Sequence, residues 1–230
     1  MPKEWAWPAN KDGWPLAFIA QIALEELPKV PWMNLPRKGS LFFFYDCESG
    51  GYEPEHADGC RVLYSPDKLS GFSRHALPED ELEHQFVPVC ILVDRIESTL
   101  PSGRDLIVDS FELSKEESSA YFDFKDNWDQ EAPAAKHRVG GHPDLIQGDV
   151  RLEAHLTSHG LDCGSGAGYK AGKKRGLFPG SADWLLLLQV DSDEKSQMMW
   201  SDCGRIYFLI QRDDLAKCYF DKVRLVLQCY

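Results

Sequence analysis

Two histidines and a cysteine stand at four-residue intervals, His155-x-x-x-His159-x-x-x-Cys163. On a helix those positions share a face, and imidazole with thiolate is a donor set that suits zinc. Gly160 interrupts the run, and Leu156 and Thr157 after His155 rule out a His-Glu-x-x-His motif. The expectation is therefore no metal and no cofactor, with His155, His159 and Cys163 as the metal-like candidates. Downstream, Gly164-Ser165-Gly166-Ala167-Gly168-Tyr169-Lys170 could cradle an anion on its amides. A Walker A loop, however, needs Gly-Lys followed by Ser or Thr. A papain-type nucleophile at Cys163 would need a downstream histidine, and none follows His159. Asp191, Asp193, Glu194 and Asp202 could gather carboxylates for Ca²⁺ or for acid/base work, but the sixth-place glycine of an EF-hand loop is missing. A solvated turn is expected there.

Three glutamines share one context. Gln21, Gln147 and Gln189 each close an apolar run. A buried carboxamide must satisfy its donors and its acceptor. The simpler account is that these amides tie strand ends to neighbouring backbone. The sharper one gathers Gln21, Gln147 and Gln189 with Asp46, Asp191, Trp200 and Asp202 around a pseudo-symmetric cleft. Those seven residues are the candidate binding site.

The elements that must position them repeat. Leu16-Ala17-Phe18-Ile19-Ala20-Gln21-Ile22 leads through an acidic link to Gly39 and then Leu41-Phe42-Phe43-Phe44-Tyr45-Asp46. Near the C-terminus, Trp184-Leu185-Leu186-Leu187-Leu188-Gln189-Val190-Asp191 leads through a polar turn to Gly204 and then Ile206-Tyr207-Phe208-Leu209-Ile210. Both read as apolar strand ending in Gln, acidic linker, Gly, apolar strand. The expected fold class is α+β: mostly antiparallel or mixed β-sheet, an internally duplicated strand pattern and a few short helices. The expected organisation is a single compact domain, 1–230, of two pseudo-repeated halves at about 1–131 and 137–230.

Other stretches are read one by one. Trp5, Trp7 and Trp14 in a Pro-rich lead-in are expected to cover a core edge. Arg61–Ser65 reads as a short strand, as does Val87–Val93 despite Pro88. Pro78–Glu83 could open a short helix. Ser114 and Glu117 form a capping box for a helix through Tyr121 and Phe124. Asp109–Glu131 carries eight acidic and two basic residues, so that helix has a solvated negative face. Glu131–Lys136 reads as a linker and Gly140-Gly141-His142-Pro143 as a tight bend. Arg151–His159 is open between helix and strand. Residues 160–181, rich in Gly and Lys, are expected to be a flexible loop. Asp213–Lys217 suggests one helical turn.

Composition narrows the partners. The net charge is −12, from 25 basic and 37 acidic residues, which disfavours a phosphate backbone and excludes nucleic acid as an expected partner. No stretch approaches the roughly 20 apolar residues that span a bilayer, so no membrane partner is expected. The start, Met1-Pro2-Lys3-Glu4-Trp5, has no apolar core of a signal peptide. Seven widely spaced cysteines without a Cys-x-x-Cys fit free thiols in a reducing compartment, and a cytoplasmic location is expected.

The ordering of separated blocks resembles the bacterial YwqG-like proteins, a domain of unknown function (DUF1963). The blocks are Trp7-Pro8, Pro15–Ile22, Leu27-Pro28, Gly39–Tyr45, Gly141-His142-Pro143-Asp144-Leu145-Ile146-Gln147, Leu186–Asp191 and Trp200-Ser201-Asp202-Cys203-Gly204-Arg205-Ile206-Tyr207-Phe208. The resemblance spans residues 5 to 230. It implies an α+β fold with a duplicated strand pattern and supplies no established catalytic residues. The usual Trp-Gly-Asp-x-Gly reads Trp200-Ser201-Asp202-Cys203-Gly204 here, so Ser201 tests whether that turn needs a positive φ. The neighbourhood of related genes implies an immunity-like or binding role. Two functions stay open: a non-enzymatic binding protein with an acidic surface and a basic protein partner, or a hydrolase or transferase using a carboxylate cluster or the His155/His159/Cys163 group. Oligomeric state stays open as well.

Overall fold

The computed structural model describes residues 1–29, 32–79, 86–89, 96–129 and 135–230. Among the described residues six strands form two antiparallel meanders. The first joins β1 (Ala17–Ala23), β2 (Ser40–Tyr45) and β3 (Cys60–Ser65) in that order. The second joins β4 (Trp184–Asp191), β5 (Arg205–Gln211) and β6 (Arg224–Gln228). The aromatic and branched side chains of these runs fit a pleated surface buried on both faces.

The duplication extends to irregularities. β1 shifts register between Phe18 and Ala20, and β4 does so between Leu186 and Leu188. Just past each bulge, Ala20 pairs with Phe43 and Leu188 with Phe208. Those two phenylalanines meet edge to face across the sheets, 5.1 Å between centroids at 69°. Around them lies one apolar cluster fed by all six strands, including Ile19, Leu41, Val62, Leu187, Ile206 and Leu225. Gly39 has φ +85°, and a Cβ there would lie 2.0 Å from the Ser65 carbonyl oxygen. Its counterpart Gly204 would place a Cβ 2.4 Å from the Gln228 carbonyl oxygen. Each second strand thus starts where its third strand approaches too closely for any side chain.

Each outer face has its own cover. Trp5 and Trp7 stack edge-on against Phe42 and Phe44, at 5.9 and 5.5 Å, so the lead-in packs on the first sheet as expected, while Trp14 is exposed. On the second sheet, Val150 and Ala154 of helix α3 pack against Trp184, Leu186, Tyr207 and Val226. The helices, in chain order, are α1 (Leu106–Asp109), α2 (Lys115–Asp129), α3 (Val150–Ser158), α4 (Gly166–Lys174) and α5 (Arg212–Ala216). The capping box forms: Ser114 N–H donates to Glu117 Oε2 at 2.8 Å, and Glu117 N–H donates to Ser114 Oγ at 3.2 Å. Ser201 has φ +52°, so the turn after Trp200 does require the left-handed region.

Several expectations change. Residues 160–181 are not one long loop; they contain α4 and a 3₁₀ turn over Phe178–Asp183. The glycines there serve close packing. A Cβ on Gly172 would lie 2.3 Å from the Leu156 side chain, and one on Gly168 would lie 1.9 Å from the Asp162 carbonyl oxygen. Leu145-Ile146-Gln147 ends no strand; it is irregular backbone leading into α3. Arg151–His159 is helical up to Ser158. Of Val87–Val93, residues 87–89 are irregular and 90–93 lie outside the described residues, as do most of Pro78–Glu83 and of the 131–136 linker.

The shared core predicts a coupling. Phe43→Ala and Phe208→Ala should each cost about 3–5 kcal/mol in denaturant unfolding. The double variant should lose less than the sum by about 0.5–1.5 kcal/mol, because the ring contact is removed only once. Strict additivity would place the two rings in separate cores.

Candidate functional site

The segment 136–149 crosses the outer edge of β4 and the end of β6, and buried polar side chains hold it there. We call it the strap. Arg138 and Gln189 exchange backbone hydrogen bonds, Arg138 N–H to Gln189 O at 3.1 Å and Gln189 N–H to Arg138 O at 2.9 Å. The Gln189 carboxamide, 0% exposed, donates to Lys136 O at 2.6 Å and accepts from Asp144 N–H at 2.9 Å. Gln228 does the same further along. Its Oε1 accepts from Ile146 N–H at 3.1 Å and Gln147 N–H at 3.0 Å, and its Nε2 donates to Gly148 O at 2.8 Å. Gly140 and Gly141, at φ +72° and +78°, make the bend between the Lys136–Arg138 and Asp144 contacts of Gln189.

Charge completes the attachment. Arg205 donates through Nη1 to Asp144 O at 2.7 Å and through Nη2 to Asp191 Oδ2 at 2.8 Å. Tyr207 Oη donates to the same Asp144 carbonyl at 2.5 Å. Arg138 Nη2 lies 2.5 Å from Asp144 Oδ2, and Lys136 N–H donates to Asp191 Oδ2 at 2.9 Å. Burial acts to lower the Arg205 pKa, but the hydrogen bond it donates to Asp191 and its electrostatic pairing with Tyr207, Asp191 and Asp144 outweigh burial and hold the group above its ordinary value. Burial draws His137 below its usual range against the pull of Asp193 and Asp191, which keeps Nδ1 free to accept from Asp191 N–H at 3.2 Å. At the far end Asp149 caps α3 by accepting from Arg151 N–H at 2.8 Å, and its other oxygen accepts from Leu106 N–H at 3.0 Å. Buried Asp105 caps α1, pairs with Arg151 and faces His142 Nδ1 at 3.7 Å.

Residues 1–229 match the profile of a domain of unknown function, DUF1963. The chain belongs to that family. No curated protein matches it. In this DUF1963 member the Gly-His-Pro-Asp-Leu-Ile-Gln block is the strap, and the Gln-ended strands grip it.

The structure does not gather the seven candidate residues into one cleft. Gln189 and Asp191 belong to the strap network. Gln147 lies at its exposed edge, where Nε2 donates to Cys229 O at 2.8 Å. Asp46 accepts from Asn10 Nδ2 at 3.0 Å and shapes the exit of β2. Asp202 is exposed, and its carbonyl accepts from Tyr230 N–H at 3.3 Å. Gln21 is exposed on β1. Trp200 is buried, edge-on to Tyr45 at 5.9 Å and to Phe86 at 5.4 Å, and its backbone N–H donates to Ser192 Oγ at 3.0 Å. A cavity of about 160 Å³ opens beside it, with Cys47, Met199, Ser201 and Leu227 completing the wall. That wall offers a thiol, a hydroxyl and an indole whose N–H is buried without a partner among the described residues, and its described lining includes no histidine or carboxylate.

The His155/His159/Cys163 series is also divided. α3 stops at Ser158, and Gly160 at φ +75° turns the chain, so Cys163 leaves the helical face. His155 Nδ1 accepts from Trp184 Nε1 at 3.1 Å, and His159 Nδ1 lies 2.8 Å from His155 O. Cys163 sits with Glu153 and Tyr169 instead, and burial pushes its thiol up to about 12. Among the described residues no three His, Cys, Asp or Glu side chains are placed to hold a metal ion. Sequence reasoning missed Arg205, Asp144, Asp149 and Asp105 as a network. Gln228, which also closes an apolar run, carried the same signal as Gln189.

Two predictions follow from this geometry. Gln189→Leu should cost about 2–4 kcal/mol, because it orphans Asp144 N–H and Lys136 C=O, and should expose the strap to trypsin at Lys136 and Arg138. Gln21→Leu should change stability by less than about 0.5 kcal/mol. The second concerns Glu153, whose carboxyl burial pushes up to about 7 against the hydrogen bond from Tyr169. Native Glu153 therefore holds a proton that the unfolded chain has lost, so stability falls as pH rises from about 4.5 to about 7 and then levels off. The loss is on the order of 3 kcal/mol. Glu153→Gln should remove it, seen as a flatter dependence of Tm on pH between those limits.

Proposed function

We propose that the protein acts by binding and that its partner is a basic protein. The observation that carries this reading is the surface of α2. Glu116, Glu117, Asp123 and Asp126 are exposed on it beside Phe124 and Trp128, which are 55% and 49% exposed with rings 5.9 Å apart. Aromatic anchors set among carboxylates suit an amphipathic basic surface: the rings supply buried area and the charges supply steering. The net charge of −12 favours the same class of partner over long range.

An immunity-like role, in which an acidic protein occludes a basic one, fits this surface and the YwqG-like resemblance. The hydrogen bonds that Gln189, Asp191 and Arg205 make to the strap support a structural task for them. None of the six described cysteines is joined in a disulfide, which supports a reducing, cytoplasmic setting. No helix among the described residues is long and apolar enough to cross a membrane.

Affinity capture with the immobilised chain tests the proposal. A basic protein should be retained at about 0.05 M salt and released by about 0.5 M. Retention should fall at least tenfold when Phe124→Ala and Trp128→Ala are combined. Capture that ignores both salt and these substitutions would contradict the reading.

A further inference from the structure

The two copies differ in what covers their first strand. Bulge and register align Gln21 with Gln189: Gln21 pairs with Phe42 as Gln189 pairs with Tyr207, one step past the Ala20–Phe43 and Leu188–Phe208 pairs. The alternation of inward and outward backbone groups is also in phase. Leu24 N–H donates to Gly39 O at 2.9 Å, and Ser192 N–H donates to Gly204 O at 3.1 Å. Gln21 N–H and C=O therefore point away from β2, as those of Gln189 point away from β5. In the second copy the strap takes these groups and the carboxamide clasps it. In the first copy Gln21 is exposed, and no described residue pairs with its backbone or its amide. The strand Ala17–Ala23 carries no charge and no proline, the residues that usually guard an edge.

We infer that the β1 edge at Gln21 docks an extended segment of a partner protein, added antiparallel as the strap is added to β4, with the Gln21 carboxamide clasping the incoming backbone. The strap shows the chemistry of such an occupant. It presents one residue's N–H and C=O to the Gln backbone, and a carbonyl and an N–H to the amide. In the strap those positions fall in Lys136-His137-Arg138 and at Asp144. Glu25 and Glu26, exposed just past β1, favour Lys or Arg in the segment. Only this basic character rests on the function proposed above; the edge docking stands on the duplicated geometry. Main-chain pairing supplies affinity in this mode, and alternate side chains supply selection.

The test uses the full chain and a labelled, end-capped peptide of residues 135–147, read by fluorescence anisotropy. The chain's own strap keeps the β4 edge, because its tethering gives it a high effective concentration. Saturable binding is expected, weakened at least tenfold by Gln21→Pro, whose missing N–H faces away from β2 and leaves the β1–β2 pairing intact. N-methylation of the peptide at the residue matching Arg138 should weaken binding as much on the unaltered chain, which covers the case of a proline variant that fails to fold. Absence of saturable binding, or binding indifferent to both changes, overturns the inference. Equal binding by a scrambled peptide of the same composition overturns it too, while leaving a basic partner in place. Light scattering that shows a dimer lost in Gln21→Pro would assign the edge to a second copy and overturn the peptide as occupant.

Discussion

The edge-to-face contact between Phe43 and Phe208 is the point on which the rest depends. Each ring sits at the centre of a three-stranded meander that could not bury both its faces alone. A sheet of three short strands is marginal without something packed on it. Here the cover for one sheet is the other, and their inner faces form one cluster. The outer faces are then closed by whatever chain is left, the Trp-rich lead-in on one side and α3 on the other.

That arrangement explains why polar side chains matter where they do. α3 can cover the second sheet only if the chain reaches it along the β4 edge. The strap makes that crossing with its backbone largely outside regular structure, so its N–H and C=O groups need partners from side chains. Gln189, Gln228 and Arg205 supply them, and Asp149 passes the attachment on to α1 and α3. The polar cluster of the strap is thus spent largely on its own backbone, while Arg205 Nε and His137 Nε2 stay buried without a hydrogen-bond partner among the described residues. Among the described residues, the acidic α2 and the β1 edge at Gln21 are surfaces with unspent contacts.

The strand pairs were legible from the sequence because each carried two independent signs, a dense apolar run and a glycine just before the second strand. The glycine has a local cause, the close approach of Ser65 or Gln228 backbone, which leaves a mark at a single position. Closing glutamines marked the strap grips, and Gln189 behaves as the simpler account expected. What stayed hidden was set by pairings distant in sequence. Gly168 and Gly172 read as loop residues because their close approach to the Asp162 carbonyl and to Leu156 is not visible in their own neighbourhood. Arg205 and Asp144 lie 61 residues apart, in separate blocks whose sequence does not show that they meet. Gln21 and Gln189 look alike in sequence, yet among the described residues only Gln189 is covered, by the strap.

Native-state hydrogen exchange measures the central claim most directly, since one shared core implies one cooperative opening. Amides of β2 and β5 should exchange with the same free energy and the same steep dependence on denaturant. Amides of one sheet opening at lower free energy, with a shallow dependence, would show two cores that fold apart and would contradict the account.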